Sequence, residues 1–95
     1  VATDVGLTPA QAKRVAVMAQ DGLARAIRPI HAPFDGDVVF AMSTARKAMP
    51  DAADYIVARI GALAADCLAR AVARAVYEGQ AWPGIAVPCW RDLPK

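Results

Sequence analysis

The sequence predicts an α/β fold, and within that class one segment of a larger α/β structure. Three observations carry this. Two stretches repeat their apolar residues every three or four positions, the spacing of a one-sided helix. Between them, Val38-Val39-Phe40-Ala41-Met42 is β-branched and aromatic, is bounded by turn residues, and reads as a short strand buried on both faces. Two helices with wide apolar faces need a sheet to cover, and one full strand is not a sheet. A partner polypeptide is therefore expected to supply the remaining strands.

Taken in order, Val1-Ala2-Thr3 reads as the tail end of a strand and Asp4-Val5-Gly6-Leu7 as a turn. Thr8-Pro9-Ala10-Gln11 then starts the first helix. Thr8 suits the N-cap, Pro9 the first helical position, and Gln11 can reach back as in a capping box. Val15, Met18, Ala19, Gly22, Leu23, Ala26 and Ile27 form the apolar stripe. Gly22 on that stripe costs about 1 kcal/mol against Ala in a helix. A close backbone approach would explain it, although an ordinary packing need is the simpler account. The helix should stop near Arg28, because the residue before Pro29 is pushed out of the α region.

After the strand, Met49-Pro50-Asp51 opens the second helix. Its stripe is Ile56, Ile60, Leu63, Ala64, Cys67, Leu68, Ala71, Val72, Ala75 and Val76, with Gly79 in the C′ position. Ala lines much of the flanking surface, so this helix can pack closely on more than one side. Residues 1–79 thus form an α/β segment. Residues 80–95 hold Trp82 and Trp90 among Pro83, Pro88 and Pro94, and read as an irregular arm whose two indoles anchor on some other surface.

Ninety-five residues allow one domain at most, and 57% apolar with 21% charged residues marks a folding chain. The net charge of +2 is spread along the helices, without the basic and aromatic interleaving of a nucleic-acid surface. Charged residues interrupt the longer helix, so no membrane span is expected. The start at Val1, without Met, suggests a processed or truncated chain. Two cysteines without metal-ligand spacing and no visible signal peptide make the cytoplasm the expected compartment.

The chemistry concentrates in Ile30–Arg46. This stretch holds the only His, the Asp35-Gly36-Asp37 triplet, and the hydroxyl pair Ser43-Thr44. Extended, Asp35 and Asp37 would face the same side with Cα atoms about 6.5 Å apart. Three readings stand: a solvated Asp-Gly turn, a carboxylate pair serving a nucleophile, or a divalent-metal site. On spacing alone the turn is favoured, and two carboxylates without a third ligand recommend no metal. His31 reads as a turn or packing residue, Ser43 and Thr44 as the close of the strand, and the methionines and aromatics as core.

Asp21-Gly22-Leu23-Ala24-Arg25-Ala26-Ile27, then Pro29-Ile30-His31 and Asp35-Gly36-Asp37-Val38-Val39-Phe40-Ala41-Met42-Ser43-Thr44, resembles the L-aminopeptidase/D-esterase family, most closely its nylon-oligomer hydrolase branch. The resemblance covers Val1 to about Gly79. It implies a precursor that cleaves itself into a larger and a smaller chain. The new N-terminal Ser or Thr of the smaller chain is then the nucleophile. It further implies a four-layer α/β/β/α sandwich, assembly of the heterodimer into a homo-oligomer, hydrolysis of a small amide or peptide, and no cofactor. Asp35 and Asp37 match that branch's acidic pair, while Val38 stands where the family often has a hydroxyl residue. The nucleophile is expected a few residues before Val1. The alternative is a non-catalytic assembly subunit of the same fold.

Overall fold

The computed structural model describes residues 1–94. The chain runs β1 (Ala2–Val5), α1 (Pro9–Ala26), β2 (Met42–Lys47) and α2 (Ala53–Glu78), and closes with a 3₁₀ turn over Trp90–Asp92. β1 and β2 pair in parallel, Ala2 opposite Met42 and Thr3 opposite Ser43. Parallel neighbours need a crossover, and α1 with its following loop provides it.

The start of α1 follows the sequence closely. Thr8 caps the helix, its hydroxyl accepting the Gln11 N–H (3.2 Å), while the Gln11 side chain accepts the Thr8 N–H (2.9 Å). Pro9 stands in the first turn. The helix ends at Ala26, two residues before the expected stop.

α1 and α2 pack side by side in the same direction, with Met18 against Gly61 and Gly22 against Ala65. A constant offset of 43 positions keeps both pairs in step. At Gly22 the reason for glycine is a close backbone approach: a Cβ there would fall within 3.0 Å of the Ala65 carbonyl oxygen. No flexible side chain could move to relieve that contact. At Gly61 the Met18 side chain fills the space instead. Arg25 and Asp66 form an exposed ion pair across the same seam.

The buried face of α2 shares only Ala64 with the expected stripe. Val57, Gly61, Ala64 and Ala65 are its buried residues, whereas Leu63, Cys67, Ala71 and Val76 are exposed. Small residues win this face because the helix axes approach too closely for Ile or Leu. The buried core is Val15, Ala19, Leu23, Val57, Ala64 and Ala65, with Leu7, Val39, Ala41, Met49, Ile60 and Leu68 packed against parts of it.

Three further expectations are corrected. The strand lies at Met42–Lys47 and not at Val38–Met42, and the Val38–Met42 run is not buried on both faces: Val38 and Phe40 are 68% and 79% exposed. Strand formation follows the available ladder partner more than intrinsic propensity, and β1 meets the chain from Ala41 onward. For the same reason Asp4 and Val5 belong to β1 and not to a turn. The aromatics are not core, since Phe34, Phe40, Tyr55, Tyr77, Trp82 and Trp90 are all exposed, as is Met42. Gly79 does follow α2, but with φ −56°, so no left-handed cap operates there; the left-handed residue is Ala52 at the opposite end, φ 60°.

Candidate active site

Residues 27–41 connect α1 to β2 across the end of the sheet where β1 begins. His31 is exposed with a left-handed φ of 58° and acts as a bend in the chain. A tight turn follows from Ala32 to Asp35, closed by the Asp35 N–H donating to the Ala32 carbonyl at 2.9 Å. Pro33 occupies the second position, where its fixed φ favours such a turn. The Asp35 side chain closes the turn a second time, its Oδ2 accepting the Ala32 N–H at 2.7 Å.

Gly36 has open space on its Cβ side. Asp37 is exposed and makes no hydrogen bond or ion pair among the described residues. The fold thus carries Asp35 and Asp37 on one exposed loop, one carboxylate engaged locally and the other open. As acceptors with unused lone pairs, both can orient an amine or a hydroxyl.

The sheet ladder continues beyond its formal ends. The Val1 nitrogen donates to the Phe40 carbonyl at 2.7 Å, and the Met42 N–H donates to the Val1 carbonyl at 3.0 Å. Those two bonds set Val1 opposite Ala41, one step back from the Ala2–Met42 pair. Asp37 stands four positions before Ala41 in the chain, on the side from which β1 enters.

Ser43 has a larger structural role than its reading as a strand closer. Its Oγ donates to the Val5 carbonyl (2.7 Å) and accepts the Leu7 (3.2 Å) and Ala45 (3.2 Å) N–H groups. The ladder breaks register here, Val5 pairing with Lys47, and Ala45 takes a left-handed φ of 51°. Ser43 therefore bridges the two strands where the backbone bonds fail. It is the only serine of the chain, and its place directly after the apolar run was the one signal available. Thr44 and His31 are exposed.

Between the strands and helices lies an apolar cavity of about 340 Å³, lined on the sheet side by Ala2, Thr3 and Met42 and on the helix side by Ile60, Leu63 and Cys67. Both cysteines are free. No helix among the described residues is long and apolar enough to cross a membrane.

Residues 1–87 match peptidase family S58. An aminopeptidase of Mycobacterium tuberculosis, described as uncharacterized, is 45% identical over 102 residues, covering 98% of this chain and 29% of its own length. A counterpart from Mycobacterium bovis matches to the same extent. One from Mycobacterium leprae is 48% identical over 98 residues, covering 94% of this chain and 27% of its own length. The chain spans under a third of the length of these curated relatives. With the match extending over nearly its whole length, the chain belongs to peptidase family S58, the L-aminopeptidase/D-esterase family that its Asp-Gly-Asp and strand motif resembles.

Proposed function

We propose that this chain is the small, C-terminal part of a self-processed N-terminal-nucleophile hydrolase that cleaves a small amide or peptide. A terminal Ser or Thr, a few residues before Val1, attacks the carbonyl carbon. Its hydroxyl proton passes to its own α-amine and then to the leaving amine, and water releases the acyl group. Asp35 and Asp37 hold the nucleophile's amine and hydroxyl in line. Neither a metal nor an organic cofactor takes part. The larger chain of the same precursor completes a four-layer sandwich of the nylon-oligomer hydrolase kind and builds the oxyanion donors and most of the pocket. The heterodimers assemble further, and the two free thiols agree with a cytoplasmic setting.

The observation that carries this reading is the strand register. With Val1 opposite Ala41, each residue continued upstream in extended form falls one position further back along the loop. The fourth to sixth residues before Val1 then come abreast of Asp37 to Asp35. A nucleophile reached by that path meets the acidic pair without any change in topology. The relatives' greater length agrees with a larger partner chain.

Intact-mass analysis of the full-length protein tests the proposal. Two chains are expected, the smaller beginning with Ser or Thr four to six residues before Val1. A single uncleaved chain that hydrolyses amides at full rate would overturn it.

A further inference from the structure

We infer that the Ser43 hydroxyl sets the register between β1 and β2, and so acts as a positioning residue that decides where the nucleophile's strand arrives. This rests on the reading just proposed and adds to it the group that fixes its stagger.

Little else in the sheet distinguishes one register from another. Val39, Ala41 and Ser43 are half-buried and alternate with the exposed Val38, Phe40 and Met42. On β1, Thr3 and Val5 are the half-buried pair. A slip of one residue would turn the covered row outward, and burial opposes it. A slip of two residues keeps every side chain on its own face, so burial does not oppose it. Backbone bonds do not oppose it either, because they re-form between whichever residues come opposite. The bond from the Gly6 N–H to the Lys47 carbonyl (2.8 Å) is of this kind. The Asp4–Lys47 ion pair (3.0 Å) does belong to one register, but it is exposed and contributes little.

Ser43 is different. In the row Val39, Ala41 and Ser43 it alone carries a side chain that can hydrogen-bond. Its Oγ donates to the Val5 carbonyl at 2.7 Å and accepts the Leu7 N–H at 3.2 Å. Both partners lie on the other strand's side of the sheet, more than thirty residues back along the chain. A slip of two residues in either direction would bring Ala41 or Ala45 to this place. Neither has a hydroxyl, so the Val5 carbonyl and the Leu7 N–H would both lose their partner. Leu7 directly precedes Thr8, the cap of α1, and the same hydroxyl therefore ties the sheet to the start of that helix.

Stagger becomes chemistry through the rise of the strand. Two residues of slip carry β1 about 6.5 Å along its axis. A group that takes or orients a proton works within about 2.6–3.2 Å. A nucleophile on the upstream continuation of β1 would then miss the loop carboxylates, although every element of the fold were still present.

A time course of the full-length protein after cell-free synthesis, followed by intact mass, tests this without a substrate. Ser43→Ala should slow the appearance of the smaller chain by about five- to tenfold, the scale of losing one cross-strand hydrogen bond. Ser43→Thr keeps the hydroxyl and should return the rate to near the parent's. Gly61→Ala strains the seam between the helices and leaves the sheet alone. It should lose stability on a similar scale in thermal unfolding, yet cleave at the parent rate.

Parent-rate cleavage in Ser43→Ala would overturn the positioning role and leave the proposed function standing. So would equal slowing in Ser43→Ala and Ser43→Thr, or slowing in Gly61→Ala that matches Ser43→Ala. A parent protein that never cleaves would instead overturn the proposed function, and the positioning role with it.

Discussion

The seam between α1 and α2 and the two irregular stretches, residues 27–41 and 79–94, use apolar residues in opposite ways. The seam is built from Gly22, Gly61, Ala19, Ala64 and Ala65, with Val15, Leu23 and Val57 the larger buried members. The irregular stretches carry Phe34, Phe40, Trp82 and Trp90, and expose every one of them. Small side chains let two helices approach until backbone meets backbone, but each buries little area. The large side chains, which could contribute most to a core, lie where this chain has nothing to cover them. Close packing and large burial have been assigned to different parts of the molecule, and only the first is completed within it.

Substitutions in the full-length protein can break or sharpen that contrast. The largest effect is expected at Gly22. Gly22→Val drives a branched side chain into the Ala65 backbone, which cannot rotate away, and should destabilise by at least about 3 kcal/mol, at the upper end for overpacking. Soluble yield and denaturant unfolding check this, and a parent-like midpoint would show that the seam is looser than described. Gly61→Ala should cost about 1–2 kcal/mol, because its obstacle is a methionine side chain that can partly move. Met18→Ala should remove most of that cost in the double variant, since neighbours in contact are not additive.

Ser43→Ala should destabilise by about 1 kcal/mol by leaving the Val5 carbonyl and Leu7 N–H without their bridge. Ala45→Gly should stabilise slightly, by about 0.5 kcal/mol. The left-handed conformation costs an ordinary residue about 1–2 kcal/mol, and glycine returns part of that gain through a freer unfolded chain. The smallest effect belongs to the arm. Arg91 reaches the Tyr77 carbonyl (3.2 Å) and Glu78 (2.8 Å) and lies over the Tyr77 ring, all at the surface. Arg91→Ala should shift stability by less than about 0.5 kcal/mol, at the low end for exposed ion pairs. A loss larger than that of Ser43→Ala would make the arm part of the folded core. The differing characters of seam and arm would then no longer hold.

How far the sequence was legible follows the range of the interactions. The Thr8, Pro9 and Gln11 cap was readable because its partners lie within one helical turn. Gly22 announced itself as costly, but its true neighbour is 43 residues away in Ala65, so a close approach could be named and not chosen. The strand was misplaced for the same reason. Val38–Met42 has the stronger β composition, yet Met42–Lys47 has the partner, and pairing outweighs propensity. On α2 the large residues drew attention to a stripe that included Ala64, while Val57, Gly61 and Ala65, outside it, joined Ala64 in the buried face. The Asp-Gly-Asp triplet was visible as a feature; that Asp35 is engaged with Ala32, and that Asp37 has no partner among the described residues, is loop geometry, which spacing alone does not contain.

The offset between paired strands has a kinetic consequence. Ala2 meets Met42 only after the thirty-nine residues between them have folded back, a non-local closure of the kind that slows folding. On the proposed reading, the bond to be cut lies on the upstream continuation of β1, and the carboxylates that act on it lie before β2. Neither can find the other until that closure is made. Self-cleavage then cannot run ahead of folding, and the appearance of the smaller chain becomes a clock for the slowest step in assembling the sheet.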